Sequence, residues 1–125
     1  MSRMRIYVAG PMSGIPEFNF PAFNAATARL RADGHFVFNP AERDIERHNG
    51  IDISKGNATG SQSLAAEQHG FSLREALADD TAFICKEADA IAMLPGWENS
   101  KGARAEWALA VALGHAVIYL DEPKG

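Results

Sequence analysis

The sequence predicts an α/β fold with a parallel sheet and helices on both faces. Two observations carry this reading. Four short apolar runs, at residues 5–9, 35–38, 89–94 and 116–120, alternate with helical stretches at 21–32, about 73–86 and 100–113. Alternation at these lengths means βαβ units, whose right-handed crossovers leave few topologies. The first run is also continuously apolar up to its glycine turn, as a strand covered on both faces is.

Each element has a local reason. In the first run, Ile6, Tyr7 and Val8 are strand formers, and Gly10-Pro11 ends the strand. Pro21 suits the first turn of a helix, Phe23, Ala26 or Thr27, and Leu30 recur at helical spacing, and Asp33-Gly34 stops it. The second strand closes at Asn39-Pro40, and residues 41–48 read as a short charged helix. Residues 50–63 are rich in Gly, Asn, Ser and Thr. With their surroundings they read as a flexible loop or lid at about 49–70, since neither flank is large enough to stand alone as a domain. Ser72 with Glu75 forms a capping box, opening a helix through Leu73, Leu77 and Ala78. The third strand ends at Pro95-Gly96, an Ala-rich helix is stopped by Gly114, and a fourth strand precedes the charged tail. Cys85 is read as buried helical packing.

Composition narrows the function. A length of 125 residues with 46% hydrophobic and 22% charged suits a single domain spanning 1–125. Twelve basic against sixteen acidic residues leave a net charge of -4, which argues against a nucleic-acid-coating surface. A single cysteine excludes an internal disulfide framework and a CxxC metal knuckle. The four histidines lack zinc-ligand spacing, so neither metal nor cofactor is expected. No apolar run is long enough to cross a bilayer, and the run after Arg5 is too short for a signal sequence. The expectation is a soluble, cytoplasmic protein with no membrane or nucleic-acid partner.

In open α/β sheets, ligands sit outside the carboxyl ends of the strands. Three segments converge there: residues 10–14 (Gly10, Pro11, Met12, Ser13, Gly14), residues 39–42 beginning with Asn39, and residues 95–102. All carry residues that let backbone N–H groups approach a polar ligand. The first loop is neither a GxGxxG turn nor a P-loop, and alone it is equally well a plain strand-to-helix turn. The third, Trp97-Glu98-Asn99-Ser100-Lys101-Gly102, leads into a helix, and a helix start with Ser100 and Gly102 is a ready anion site. Glu106 lies one turn further, on the face of Ala103, Leu109 or Ala110, and Leu113 that must pack on the sheet. It is either a partly buried functional carboxylate or a surface Glu paired with Arg104 or Lys101. Asp79 and Asp80 are either a solvated pair or one of them reaches the site. Trp97 and Phe18 either stack on a base or pad the loops.

Three stretches together resemble the nucleoside 2-deoxyribosyltransferase superfamily: Ile6-Tyr7-Val8-Ala9-Gly10-Pro11-Met12-Ser13-Gly14, Ala88-Asp89-Ala90-Ile91-Ala92-Met93-Leu94-Pro95 and Ser100-Lys101-Gly102-Ala103-Arg104-Ala105-Glu106. The closest part of it is the small, often phage-encoded DUF4406 branch, related to the deoxynucleoside 5'-monophosphate N-glycosidases. The resemblance implies a flavodoxin-like, Rossmannoid three-layer sandwich with a mostly parallel sheet of four or five strands. It implies a nucleoside or nucleotide ligand and a homodimer or higher homo-oligomer with sites near the interface, and the small size of the chain, with few loops to close a site, argues that a neighbouring subunit completes the pocket. It implies Glu106 as the nucleophile at the sugar C1', Tyr7 holding that carboxylate, and Asp80 (or Asp79) as a helper. Residues 10–14 would line the pocket, with Ser100 and Gly102 holding a 5'-phosphate. A tyrosine donor would keep Glu106 ionised. Arg104 stands where a small residue is commoner, and either binds phosphate, pairs with Glu106 or blocks the usual pose. The implied activity is cleavage of an N-glycosidic bond by hydrolysis or transfer. The alternatives are a non-catalytic nucleotide-binding or sensing module and a phage accessory protein that contacts partners through the 49–70 loop.

Overall fold

A computed structural model describes residues 3–12, 14–48, 50, 60–62 and 72–120. The chain runs β1 (Arg5–Ala9), α1 (Phe20–Ala32), β2 (Phe36–Phe38), α2 (Pro40–Arg47), α3 (Leu73–Lys86), β3 (Ala90–Met93), α4 (Lys101–Ala112) and β4 (Ala116–Tyr119). Short 3-10 turns at Pro16–Asn19 and Trp97–Asn99 precede α1 and α4. Most of the loop expected at 49–70 lies outside the described residues.

The four described strands form one parallel sheet in the order β2-β1-β3-β4. This is the flavodoxin-like order without its fifth strand, and its switch point falls between β1 and β3. Register there pairs Ile6 with Ala90 and Tyr7 with Ile91.

The period-two alternation of strand side chains divides the core into two layers. Ile6, Val8, Ala90 and Ala92 pack under Phe20, Phe23 and Leu30 of α1 and Ala41 of α2. Tyr7, Ala9, Ile91 and Met93 face the other way, against Phe83 and Ile84 of α3 and Ala110 of α4. Truncating a fully buried residue such as Ile84 to alanine should cost about 2–5 kcal/mol.

Side-chain oxygens fix where three helices begin. Asn39 accepts from the Ala41 amide at 2.9 Å, Ser72 from Glu75 at 3.4 Å and Ser100 from Ala103 at 3.2 Å. Each satisfies an amide that the first helical turn leaves without a partner. Cys85 departs from its expected burial and is exposed. Phe83 and Ile84 take the sheet-facing positions of α3, which turns the next residue outward.

One feature had no sequence signal. Glu17, Phe18 and Asn19 all adopt left-handed backbone, with φ of 55°, 51° and 60°. Such a conformation costs non-glycine residues roughly 1–2 kcal/mol each. Two contacts oppose that cost. Phe18 is buried with its ring 6.2 Å from Phe20, and Asn19 Nδ2 donates to the Pro11 carbonyl at 3.1 Å. The strained turn is thereby tied to the loop leaving β1.

Candidate active site

A cavity of about 580 Å³ opens at the carboxyl ends of β1 and β3, within the range of small-molecule sites. All three segments expected to converge there contribute to it. Gly10, Pro11 and Met12 come from the loop after β1, Pro40 and Asp44 from α2, and Asn99 through Gly102 from the start of α4. Leu73, Ala76 and Leu77 of α3 add an apolar wall, and Phe18 and Phe23 add aromatic surface. Gly10 is required by a close approach. A β-carbon on it would lie 2.6 Å from Leu94 Cβ, so only glycine lets the β1 end lie against the residue after β3.

The chemistry concentrates at the cavity floor. Tyr7 is fully buried on β1, and Glu106 is only 5% exposed. The α4 positions Ala103, Glu106 and Ala110 form the buried stripe of that helix, so Glu106 is driven toward the sheet by the packing of its neighbours. There the Tyr7 hydroxyl donates to Glu106 Oε2 at 2.6 Å. Asp80 is 6% exposed and sits on the buried face of α3 with Ala76, Phe83 and Ile84. It lines the same cavity.

Burial, then the charge of Asp80, raise the Glu106 carboxyl to about 8, against the lowering effect of the Tyr7 hydrogen bond. The Tyr7 phenol is pushed well above its ordinary value, first by burial, then by the charges of Glu106 and Asp80 and its hydrogen bonds to both. The expectation was that a Tyr7 donor keeps Glu106 ionised. The donor acts in that direction, but desolvation and a second carboxylate outweigh it. With its carboxyl raised to about 8, Glu106 keeps its proton at neutral pH beside the Asp80 charge.

Of the residues anticipated from sequence, Tyr7, Gly10, Pro11, Met12, Asp80, Ser100, Gly102 and Glu106 line the cavity, and so do Phe18 and Lys101. Asp79 turns away and pairs with Arg43 at 3.7 Å. Asn39, Trp97 and Arg104 stand outside the lining. Asn39 is buried in the α2 cap and donates to Asn24 at 3.0 Å. Trp97 stacks on Trp107 and Tyr119, with ring centroids at 5.3 and 6.2 Å. Arg104 is exposed. Gly14 donates its amide to the Gly60 carbonyl at 2.9 Å, and Ser13 lies outside the described residues.

Sequence reasoning missed Asp44 and Gln62. Asp44 had a usable signal, since it lies one helical turn after Pro40 and so shares its face. Gln62 had none, because nothing in the 49–70 composition marks one residue as inward. Among the described residues, no group of three His, Cys, Asp or Glu is placed to hold a metal ion. No described helix is long and apolar enough to cross a membrane.

The fold and the cavity thus define a parallel α/β domain with a cavity at the switch point and buried acids at its floor. The chain belongs to the DUF4406 family, a domain of unknown function, whose model matches residues 4–119. No curated protein matches the chain.

Proposed function

We propose that this protein cleaves the N-glycosidic bond of a nucleoside or nucleoside 5'-monophosphate, with Glu106 as nucleophile. The observation that carries the reading is the 2.6 Å hydrogen bond from Tyr7 to a buried Glu106 at the floor of a nucleoside-sized cavity. N-glycoside cleavage builds positive charge at C1', much as O-glycoside cleavage does, and a positioned carboxylate stabilises or captures that cation.

Passing the Glu106 proton to Asp80 gives the two acids different tasks. With the proton on Asp80, Tyr7 accepts from Asp80 and donates to an ionised Glu106. A Glu106 oxygen then bonds to C1' as the C1'–N bond breaks. The bonding pair leaves with the base, which takes the Asp80 proton. Water attacks C1' next, losing a proton to Asp80 and freeing Glu106, or a second base takes the place of water. The α4 start, with Ser100 and Gly102, suits a 5'-phosphate. Exposed apolar side chains toward the end of α4 and on β4, Val111, Leu113 and Tyr119, support a homo-oligomer.

The test is incubation with a panel of ribo- and deoxyribonucleosides and their monophosphates, with release of free base followed chromatographically. Base release by the native protein and its loss in Glu106→Ala are expected. A second reading, a nucleotide-binding domain without turnover, is favoured by the Glu106 carboxyl being raised to about 8. It predicts calorimetric binding without release from any member of the panel.

A further inference from the structure

The cavity holds a third acid that this chemistry does not use. Asp44 is 4% exposed, so a carboxylate has been buried on α2, and it lines the cavity beside Pro40. It stands apart from the Asp80–Glu106 pair. Among the described residues no three acids gather closely enough to hold a metal ion. Its helix explains the separation. α2 packs on α1 and α3, whereas α4, which carries Glu106, packs on β1, β3, β4 and α3.

We infer that Asp44 reads the base of the substrate and selects nucleosides whose base carries an exocyclic amino group. This rests on the function proposed above and adds the substrate class. The placement follows from the walls of the cavity. A sugar with C1' at Glu106 lies over Tyr7 and Asp80, and its 5' end points to the α4 start. The base then extends past the apolar surfaces of Phe18 and Leu77 toward α2, where Asp44 offers a carboxylate. An ionised carboxylate only accepts hydrogen bonds, and its two oxygens offer about four acceptor positions, so partners within the protein leave capacity for a ligand. It matches the N–H donors of cytosine or adenine and opposes the carbonyl that uracil or hypoxanthine presents at the same place. A site built to pair one hydrogen-bonding group rejects the analogue lacking it, because buried polar groups are then left unmatched.

The experiment is titration calorimetry of the intact protein, in a Glu106→Gln background that holds nucleosides without turning them over. The ligand pairs are cytidine against uridine and adenosine against inosine, each as ribo- and deoxyribonucleoside. The amino-bearing member should bind about 10- to 100-fold more tightly, the span of a hydrogen bond to a charged group. Asp44→Asn, which also donates, should bring each pair toward parity or invert it, and Asp44→Ala should remove the preference without inversion. Circular dichroism confirms that both variants are folded. Equal binding within the pairs, or a preference unchanged in both variants, overturns the assignment. So does an Asp44 effect that separates ribose from deoxyribose, which would place this acid on the sugar. Amino selectivity in binding with no base released by the native protein would sink the catalytic proposal alone. Base release indifferent to the amino group would sink this one alone, and no binding of any member would sink both.

Discussion

Tyr7 and Glu106 lie 99 positions apart in sequence and are joined by a 2.6 Å hydrogen bond in the interior. The sheet brings Tyr7 there as the inward residue at the middle of β1. The α4 stripe brings Glu106, and the Ser100 cap fixes the register of that helix. Glu106 therefore has a donor, a neighbouring acid and almost no water.

Removing the donor should move the titration of Glu106 in a known direction. The Tyr7 hydrogen bond lowers the Glu106 pKa, so Tyr7→Phe raises it further above its present value of about 8. The proposed reaction needs one proton kept on the Asp80–Glu106 pair for the departing base, so the falling alkaline limb of the pH–rate profile should shift to higher pH. The maximal rate should fall by about a hundredfold, as for loss of one preorganised donor. Steady-state rates between neutral and alkaline pH check both effects.

The same carboxylate makes the fold pH-sensitive. Its pKa is raised from 4.5 to about 8 on folding, so between these values the folded state holds a proton that the unfolded chain has released. Stability then falls as pH rises through that window and levels off above it. Glu106→Gln keeps the Tyr7 hydrogen bond and removes the titration. It should flatten the decline and raise the melting temperature most at alkaline pH. Thermal melts of both proteins across the window test this. An equal slope in the variant would assign the pH dependence to other groups.

Gly60 anchors the segment that carries Gln62. It is buried, its φ is +66°, and a β-carbon would overlap the Ile15 carbonyl oxygen. Its own carbonyl accepts from the Gly14 amide at 2.9 Å. Gly60→Ala should displace this contact, weaken nucleoside binding by raising KM, and change kcat less, because Tyr7 and Glu106 lie elsewhere. Kinetics on the most active substrate of the panel separate the two parameters.

The left-handed turn offers a gain in stability. Glu17→Gly relieves the strain at one of its three residues while adding the entropy cost of a glycine in the unfolded chain. The balance is a stabilisation of about 0.5 kcal/mol, measurable by urea denaturation. Phe18→Gly would do the opposite, since that ring is buried and lines the cavity.

Much of this was legible because it follows from periodicity and punctuation. The strand runs, Pro21, Asp33-Gly34 and the Ser72–Glu75 and Ser100 starts are local signals, and the helices begin and end within a residue or two of them. Glu106 was legible as a carboxylate on a stripe of alanines, which had to be buried if the helix packed. The left-handed turn was not, because Glu17, Phe18 and Asn19 are held there by contacts to Phe20 and Pro11 rather than by their own preferences. Nor was the protonation of Glu106. A sequence shows the tyrosine donor that lowers the pKa, but not the desolvation and the Asp80 charge that raise it more. Cys85 shows the limit of helical spacing near a helix end, where neighbours settle which residue turns outward.

The nucleophilic role of Glu106 can be read from the mass of the protein itself. The native chain, mixed with a substrate from the panel and quenched in acid within one turnover, is examined intact and after proteolysis. The proposed mechanism predicts an added pentosyl group, carried by the peptide containing Glu106 and missing in Glu106→Gln. Base release that persists in Glu106→Gln, with no adduct on the native chain, would contradict it.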